Sequence, residues 1–269
     1  IKTMWTKELF GTEKPIIALL HLDPLPGDPD FCGSLDTVIE HASCDVKALQ
    51  EGGVDGVLIA NEFSFPMTYV SHSETLMAMA CVIGAIKKDI HVPFGTNVVM
   101  NPEETIRMAK AVGASFGRSA FAGAFTGTYG VHVNNFGENV RLKYALGIPE
   151  MKLLCKINPE GDVLLAEQKI EEIIDNVTLG DHVGAFCVSG PGAGQEASWD
   201  LLAHVCELAK AKNVPVFCNT GCKESTIAKI LTIADGGCVG TAFKSADGRV
   251  DADKVRSFMA VVKEARGDK

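Results

Sequence analysis

No stretch of this 269-residue sequence gathers lysine and arginine into a stripe, and the formal net charge is −9. A nucleic-acid binder needs such a basic footprint, so the balance argues against a nucleic-acid partner. No apolar run approaches the roughly 18 residues of a membrane-spanning helix, so no integral membrane segment is expected. Nor does any amphipathic segment show the basic face of a helix that lies on a membrane. No C-x-x-C pair occurs: Cys218 and Cys222 have the wrong spacing and no second pair lies nearby. A cysteine zinc site is therefore not signalled. There is no H-E-x-x-H motif and no dense histidine cluster. No glycine-rich dinucleotide fingerprint follows an early strand; the first loop, "DPLPGDPD", carries three prolines instead.

What is present fits one large core. Hydrophobic residues make up 46% and charged residues 22%, a globular composition. The 27 glycines suit a fold with many tight strand-to-helix turns. Nine cysteines sit mostly in apolar runs such as "FCVSG" and "LLCK". Their odd number predicts reduced, mostly buried thiols in a cytoplasmic chain.

The punctuation is regular. "KPIIALLHL", "GGVDGVLIAN", "IHVPFGTNVV", "SFGRSA", "MKLLCKI", "HVGAFCVSG", "VPVFCNTG" and "ADGGCVGT" read as buried strands. Helical patterns separate them: 35–51, 73–88, 102–112, 135–146, 163–177, 197–212, 223–231 and 250–264. The glycine-rich segment 122–130 reads as a loop. Eight strand-then-helix units over this length, with nothing left for a second domain, predict a TIM (β/α)8 barrel spanning 1–269. An open doubly wound sheet is the rival. The leading "TMWTKELFG" is expected to cap one barrel end.

In this fold chemistry gathers at the carboxyl ends of the strands. In chain order those ends supply His21 and Asp23, Asn61 and Glu62, Asn97, Arg118, Lys156 and Asn158, Ser189, Asn219 and Thr220, then Thr241 with Lys244 beyond. Any one of them could be a strand terminus meeting water. Together they make one polar mouth. The seventh strand ends in "NTG" and the eighth in "VGT". In phosphate-binding barrels the anion lies between these two loops, beside the start of a short helix. Gly221, Gly240 and Thr241 are the candidate cradle, because glycine leaves backbone N–H groups accessible. Lys223 or Lys244 would add a charge-assisted contact. Plain turn glycines are the alternative. The loop "SGPGAGQ", with Ser189 and Gly190, reads as a wrap or lid.

Strand alternation puts Lys156 on one face with Lys152 and Leu154. If that face is inward, Lys156 is near the mouth and Lys152 deeper. A desolvated lysine serves as base or Schiff-base former; it also serves as counter-charge to a carboxylate. Glu62 is a candidate general base, general acid or metal ligand. His21 and Asp23 share parity, and would shuttle a proton or hold a divalent cation with Glu62. His41, His72, His132, His182 and His204 read as surface or structural residues.

The stretches "IIALLHLDPLPGDP", "GGVDGVLIANEFSFPM", "VPFGTNVVMNP" and "DGGCVGTAFKSADGRVDADKVRSFM" resemble the BtpA/SgcQ family, and the resemblance runs through essentially the whole chain. It implies a TIM barrel of the ribulose-phosphate-binding type. It links the chain both to photosystem I biogenesis and to sugar uptake and metabolism. The family pattern falls on His21, Pro24, Pro26, Gly27, Asn61, Glu62 and Pro66. It continues through Gly95, Asn97, Arg118, Gly123, Lys156, Gly190, Gly221, Asp235, Gly236, Gly240, Thr241 and Lys244, which places Asp235 in the expected ligand set. Three positions depart: Ser64 and Thr128 stand where acids are usual, and Ile157 where a histidine is usual.

Two functions follow as expectations. The first is an enzyme acting on a phosphorylated sugar or nucleotide-like small molecule, as isomerase, lyase or glycosidic hydrolase. Glu62, His21, Lys156, Asp23 and Arg118 would do the chemistry, with a divalent metal left open. The second is a non-catalytic assembly or regulatory factor that keeps a ligand-binding barrel. A homo-oligomer is compatible with either.

Overall fold

The computed structural model describes residues 5–192 and 194–268. Helix α1 (Trp5–Phe10) leads into β1 (Ile16–His21). Next come α2 (Leu35–Gly52), β2 (Gly56–Ala60), α3 (Ser73–Ile86), β3 (Phe94–Asn97), α4 (Pro102–Val112) and β4 (Phe116–Ser119). A hairpin of β5 (Gly123–Gly127) and β6 (Gly130–Asn134) breaks the alternation before α5 (Phe136–Ala145) and β7 (Lys152–Lys156). A short β8 (Asp162–Leu164) precedes α6 (Ile170–Val177). The chain ends with β9 (Ala185–Val188), α7 (Trp199–Lys210), β10 (Val216–Cys218), α8 (Glu224–Ile230), β11 (Gly236–Val239) and α9 (Ala252–Arg266).

Eight parallel strands close on themselves in the order β1-β11-β10-β9-β7-β4-β3-β2, a TIM barrel. Closure rests on β1, which pairs with β2 through Ile17↔Gly56 to His21↔Ala60 and with β11 through Ile16↔Gly237 to Ala18↔Val239. Both faces of a parallel strand are covered, which is why residues 16–20 and 56–60 are buried throughout. Alternation then sorts them. Ile17, Leu19, Leu58, Phe116, Leu154, Ala185, Cys187, Phe217 and Cys238 pack inside the barrel. Their neighbours Ile16, Ala18, Leu20, Val57, Ile59, Leu153 and Phe186 face the helices. Glycine opposite a ring keeps the interior filled: a Cβ on Gly95 would lie 2.3 Å from the Phe116 ring.

Local signals set the helices. Asn101 accepts from Glu104 N, Pro102 follows at the first turn, and Gly113 ends α4 with φ 79°. Ser34 accepts from Thr37 N to start α2. Helix α1 lies under the barrel, where Trp5, Leu9 and Phe10 pack on the interior cluster. Trp5 Nε1 donates to Gly184 O at 2.8 Å, and Lys152 Nζ sits 5.9 Å from its ring. Residues 3 and 4 of the expected cap lie outside the described residues.

Two expectations are corrected. Segment 122–130 is not a loop but most of a hairpin, with Gly127 paired to Gly130 across a two-residue turn. The helix expected over 163–177 starts only at Ile170. Residues 162–164 pair instead with β5, giving a three-stranded sheet in the order β6-β5-β8. An apolar run this short has no period of its own, and the neighbouring hairpin decides its state. All nine cysteines are free, and Cys155, Cys187, Cys218, Cys222 and Cys238 are buried. No helix among the described residues is long and apolar enough to cross a membrane.

Candidate functional site

The inward parity of the barrel continues past the strand ends. His21 follows Ile17 and Leu19, Arg118 follows Phe116, Lys156 follows Leu154, and Asn219 follows Phe217, each two residues on. These four, with Glu62 and Gly240, line a cavity of about 450 Å³ at the carboxyl ends of the strands.

Its floor is a hydrogen-bonded chain of buried and half-buried polar groups. Arg118 Nη1 donates to Asn219 Oδ1 at 2.8 Å. Asn219 Nδ2 donates to Ser189 Oγ at 2.8 Å and to Glu160 Oε1 at 3.1 Å. Glu160 Oε2 accepts from Lys156 Nζ at 3.0 Å. Asn97, its amide oxygen turned to the guanidinium, accepts from Arg118 Nη2 at 3.2 Å. Burial works against ionised Glu160, but Lys156 and Arg118 outweigh it and hold the carboxyl below its usual range. Lys156 is thus the counter-charge to a carboxylate, one of the two roles open to it. Burial also works against charged Arg118, and Cys238, Glu160 and Glu62 overcome it.

On the β1 side, Lys244 Nζ stands 3.0 Å from His21 Nδ1 and 4.5 Å from the centre of the Phe63 ring. Burial, then the Lys244 and Arg118 cations, push the imidazole pKa down to about 3. His21 is therefore neutral at physiological pH and is a poor proton acceptor there. Glu62 makes no hydrogen bond among the described residues, while Arg118 and Lys244 both feel its charge.

The last two barrel corners meet the loop after β9. Gly221 has φ 71°, and a Cβ there would lie 2.3 Å from Gln195 O. A Cβ on Gly194 would lie 3.2 Å from Thr241 Oγ1. Only glycine allows these backbones to approach so closely. Among the described residues, the N–H groups of Gly221, Gly240 and Thr241 donate to no acceptor, and all three residues line the cavity. The Gly190 N–H is already used, donating to Thr220 Oγ1 at 2.7 Å.

The β5–β6–β8 sheet roofs the cavity through Thr128, Tyr129, His132, Asn134 and Asp162. His132 stacks between Tyr69 and Phe125, with ring centres 4.5 and 5.3 Å away, and its Nε2 lies 3.1 Å from Asp162 Oδ2. These contacts give His132 the satisfied structural role expected of it, at a place local sequence did not show: the hairpin carries it to the cavity wall.

Other expected residues lie elsewhere. Asp23 pairs with His41 Nδ1 at 2.6 Å and with Arg249, beside the cavity rather than in its wall. The expected cation set of His21, Asp23 and Glu62 is therefore not assembled, and among the described residues no cluster of three or more His, Cys, Asp and Glu side chains is placed to hold a metal ion. Asn61 has the outward parity and its Oδ1 accepts from Val99 N at 2.8 Å. Asp235 precedes β11, at the opposite end of the barrel, and accepts from Val216 N at 2.9 Å. That distance from the mouth removes it from the ligand set. Ser189 contributes as an acceptor beneath Asn219. Of the departures, Ser64 donates to Asp28 Oδ2 at 2.6 Å, Thr128 lines the cavity, and Ile157 is buried in the core. Sequence reasoning missed Glu160 and Cys238; inward parity on β11 was the available signal for Cys238.

Comparison with known proteins follows the same outline. The chain is similar to the sgc region protein SgcQ of Escherichia coli, 41% identical over 97% of this chain and 99% of that one. It is 28% identical to the photosystem I biogenesis protein BtpA of Synechocystis, over 96% and 91% of the two chains. Among solved structures, native KDPGal superposes with a TM-score of 0.59 at 16% identity, covering 96% of this chain and 98% of that one. Phosphoribosyl anthranilate isomerase from Thermus thermophilus gives 0.57 at 12% identity, over 94% and 100%. Identities this low speak for the barrel fold alone. The BtpA family profile matches residues 12–264. The chain belongs to the BtpA family.

Proposed function

We propose that this protein is an enzyme of carbohydrate metabolism acting on a phosphorylated sugar or a related phosphorylated small molecule. The phosphate binds the free N–H groups of Gly221, Gly240 and Thr241, with Lys223 at the rim. Glu62 exchanges a proton with the sugar, while Arg118, His21 and Lys156 supply the surrounding donors and charge. One observation carries the reading: a single cavity joins unpaired backbone donors at one corner to an unpaired carboxylate beside two cations.

Thermal unfolding with and without ligand tests it. Inorganic phosphate and sugar phosphates should raise the midpoint, since a ligand at a hundred times its Kd adds about 2.7 kcal/mol. Glu62→Gln should abolish turnover of an identified substrate while leaving that shift in place. Unchanged turnover in the variant would remove Glu62 from the chemistry.

A second reading is a ligand-binding assembly factor without catalysis. The similarity to a photosystem I biogenesis protein supports it, as do Ser64, Thr128 and Ile157 at positions where the family resemblance implies ionisable groups. Absence of any shift with phosphate or sugar phosphates favours that alternative.

A further inference from the structure

An ammonium group has three N–H donors and no acceptor. Lys244 Nζ, 3.0 Å from His21 Nδ1, can therefore only donate to it, and the one proton of the neutral ring must sit on Nε2. Among the described residues His21 Nε2 is buried with no hydrogen-bond partner. Arg118 Nε is in the same condition. The other two such atoms, Tyr69 Oη and Asn139 Oδ1, belong to residues outside the cavity wall, whereas His21 and Arg118 both line it. An orphaned buried donor costs roughly 1–3 kcal/mol, so two in one cavity point to an oxygen that meets them when the cavity is filled. The phosphate corner is close by: a Cβ on Gly240 would lie 3.4 Å from His21 Cε1.

We propose that His21 is a permanently neutral hydrogen-bond donor, through Nε2–H, to the carbonyl oxygen of an open-chain sugar phosphate. The reaction is then removal of a proton from the carbon next to that carbonyl. This rests on the phosphate reading above and narrows it. The Glu62 carboxylate takes the proton, the C–H electron pair becomes a C=C bond, and the carbonyl π pair moves onto oxygen. The negative charge leaves Glu62 and reappears on the enolate, where His21 Nε2–H and the Arg118 guanidinium meet it. The proton of the neighbouring hydroxyl then moves to the enolate oxygen, and Glu62 returns its proton to the former carbonyl carbon as the other oxygen becomes the carbonyl; the product is the aldose–ketose isomer, and no other reactant is consumed.

Lys244 is the positioning residue. A second ring proton would have to sit on Nδ1, facing the ammonium. The groups around the pair are the Arg118 cation, the Glu62 carboxylate and the edge-on Phe63 ring at 5.6 Å from the imidazole. Burial works against the Lys244 charge, and Asp45, Glu62 and Asp23 counter it against a further push from Arg249.

Two measurements test this. In the free protein, 15N correlation spectra of the imidazoles should show His21 with a protonated Nε2 and no titration from about pH 5 to about pH 8. In Lys244→Met the ring should lose that fixed tautomer. A wild-type His21 protonated at Nδ1, or titrating in that window, overturns the proposal and leaves the phosphate site untouched. Calorimetry then compares glycerol 3-phosphate with phosphoglycolohydroxamate, whose planar oxygens imitate the enolate. The hydroxamate should bind about tenfold tighter or more, and the advantage should shrink in His21→Phe. Equal binding of the two sinks the enolate; binding of neither sinks the phosphate reading and this one with it.

Discussion

Glu160 follows Lys156 by four residues, and its carboxylate ends up between Lys156 Nζ and Asn219 Nδ2. Its folded pKa lies below the ordinary glutamate value of 4.5. The stabilisation is therefore present above that ordinary value and is lost as pH falls through the folded one. Glu160→Gln should cost about 3 kcal/mol at neutral pH, the low end for breaking a buried ion pair. Urea midpoints of both proteins should converge as pH drops; a penalty that stays constant into acid would contradict the pairing. Nothing in "NPEG" announces this role, because a glutamate in a proline-glycine turn is ordinarily solvated. His21 and Arg118 were legible as mouth residues, since each ends an apolar strand. That His21 is neutral was not legible: it follows first from burial, and the lysine that adds to it lies 223 residues away in sequence.

At the scale of elements, period-two alternation carried most of the information. It separates Glu62, which faces the cavity, from adjacent Asn61, which ties down Val99 N. The same rule placed Lys152 deep and Lys156 high on β7, and both are where alternation puts them. The roof was less legible. Glycines at 123, 127 and 130 lower the strand propensity of 123–134, which reads as a loop; cross-strand pairing with β8 makes the segment a sheet. Every residue of β6 is at least partly exposed, whereas β1, β2, β4 and β9 are buried almost throughout. Local opening follows the burial. Hydrogen exchange read by mass spectrometry should therefore label 123–134 well before β1 or β2, and a bound sugar phosphate should slow it. Equal protection of roof and barrel would show that the roof opens only with the whole fold.

The whole molecule closes twice, through β1 with β11 around its side and through α1 beneath. Phe10 sits 5.6 Å from the Phe116 ring, and a Cβ on Gly56 would lie 2.6 Å from Phe10 Cε1. Phe10→Ala should destabilise the fold by about 3 kcal/mol, measured by denaturant unfolding, with phosphate affinity unchanged. Weaker phosphate binding would mean that the base of the barrel reaches the mouth. Eight repeated units made the barrel readable, because closure needs only that count and that spacing. The cavity needed contacts between distant segments, which no local window contains. One short segment ties its two halves together: Glu160 holds the Lys156 ammonium below, and Asp162, two residues on, holds the His132 imidazole above. Floor and ceiling therefore hang from the same three residues of main chain, 160–162.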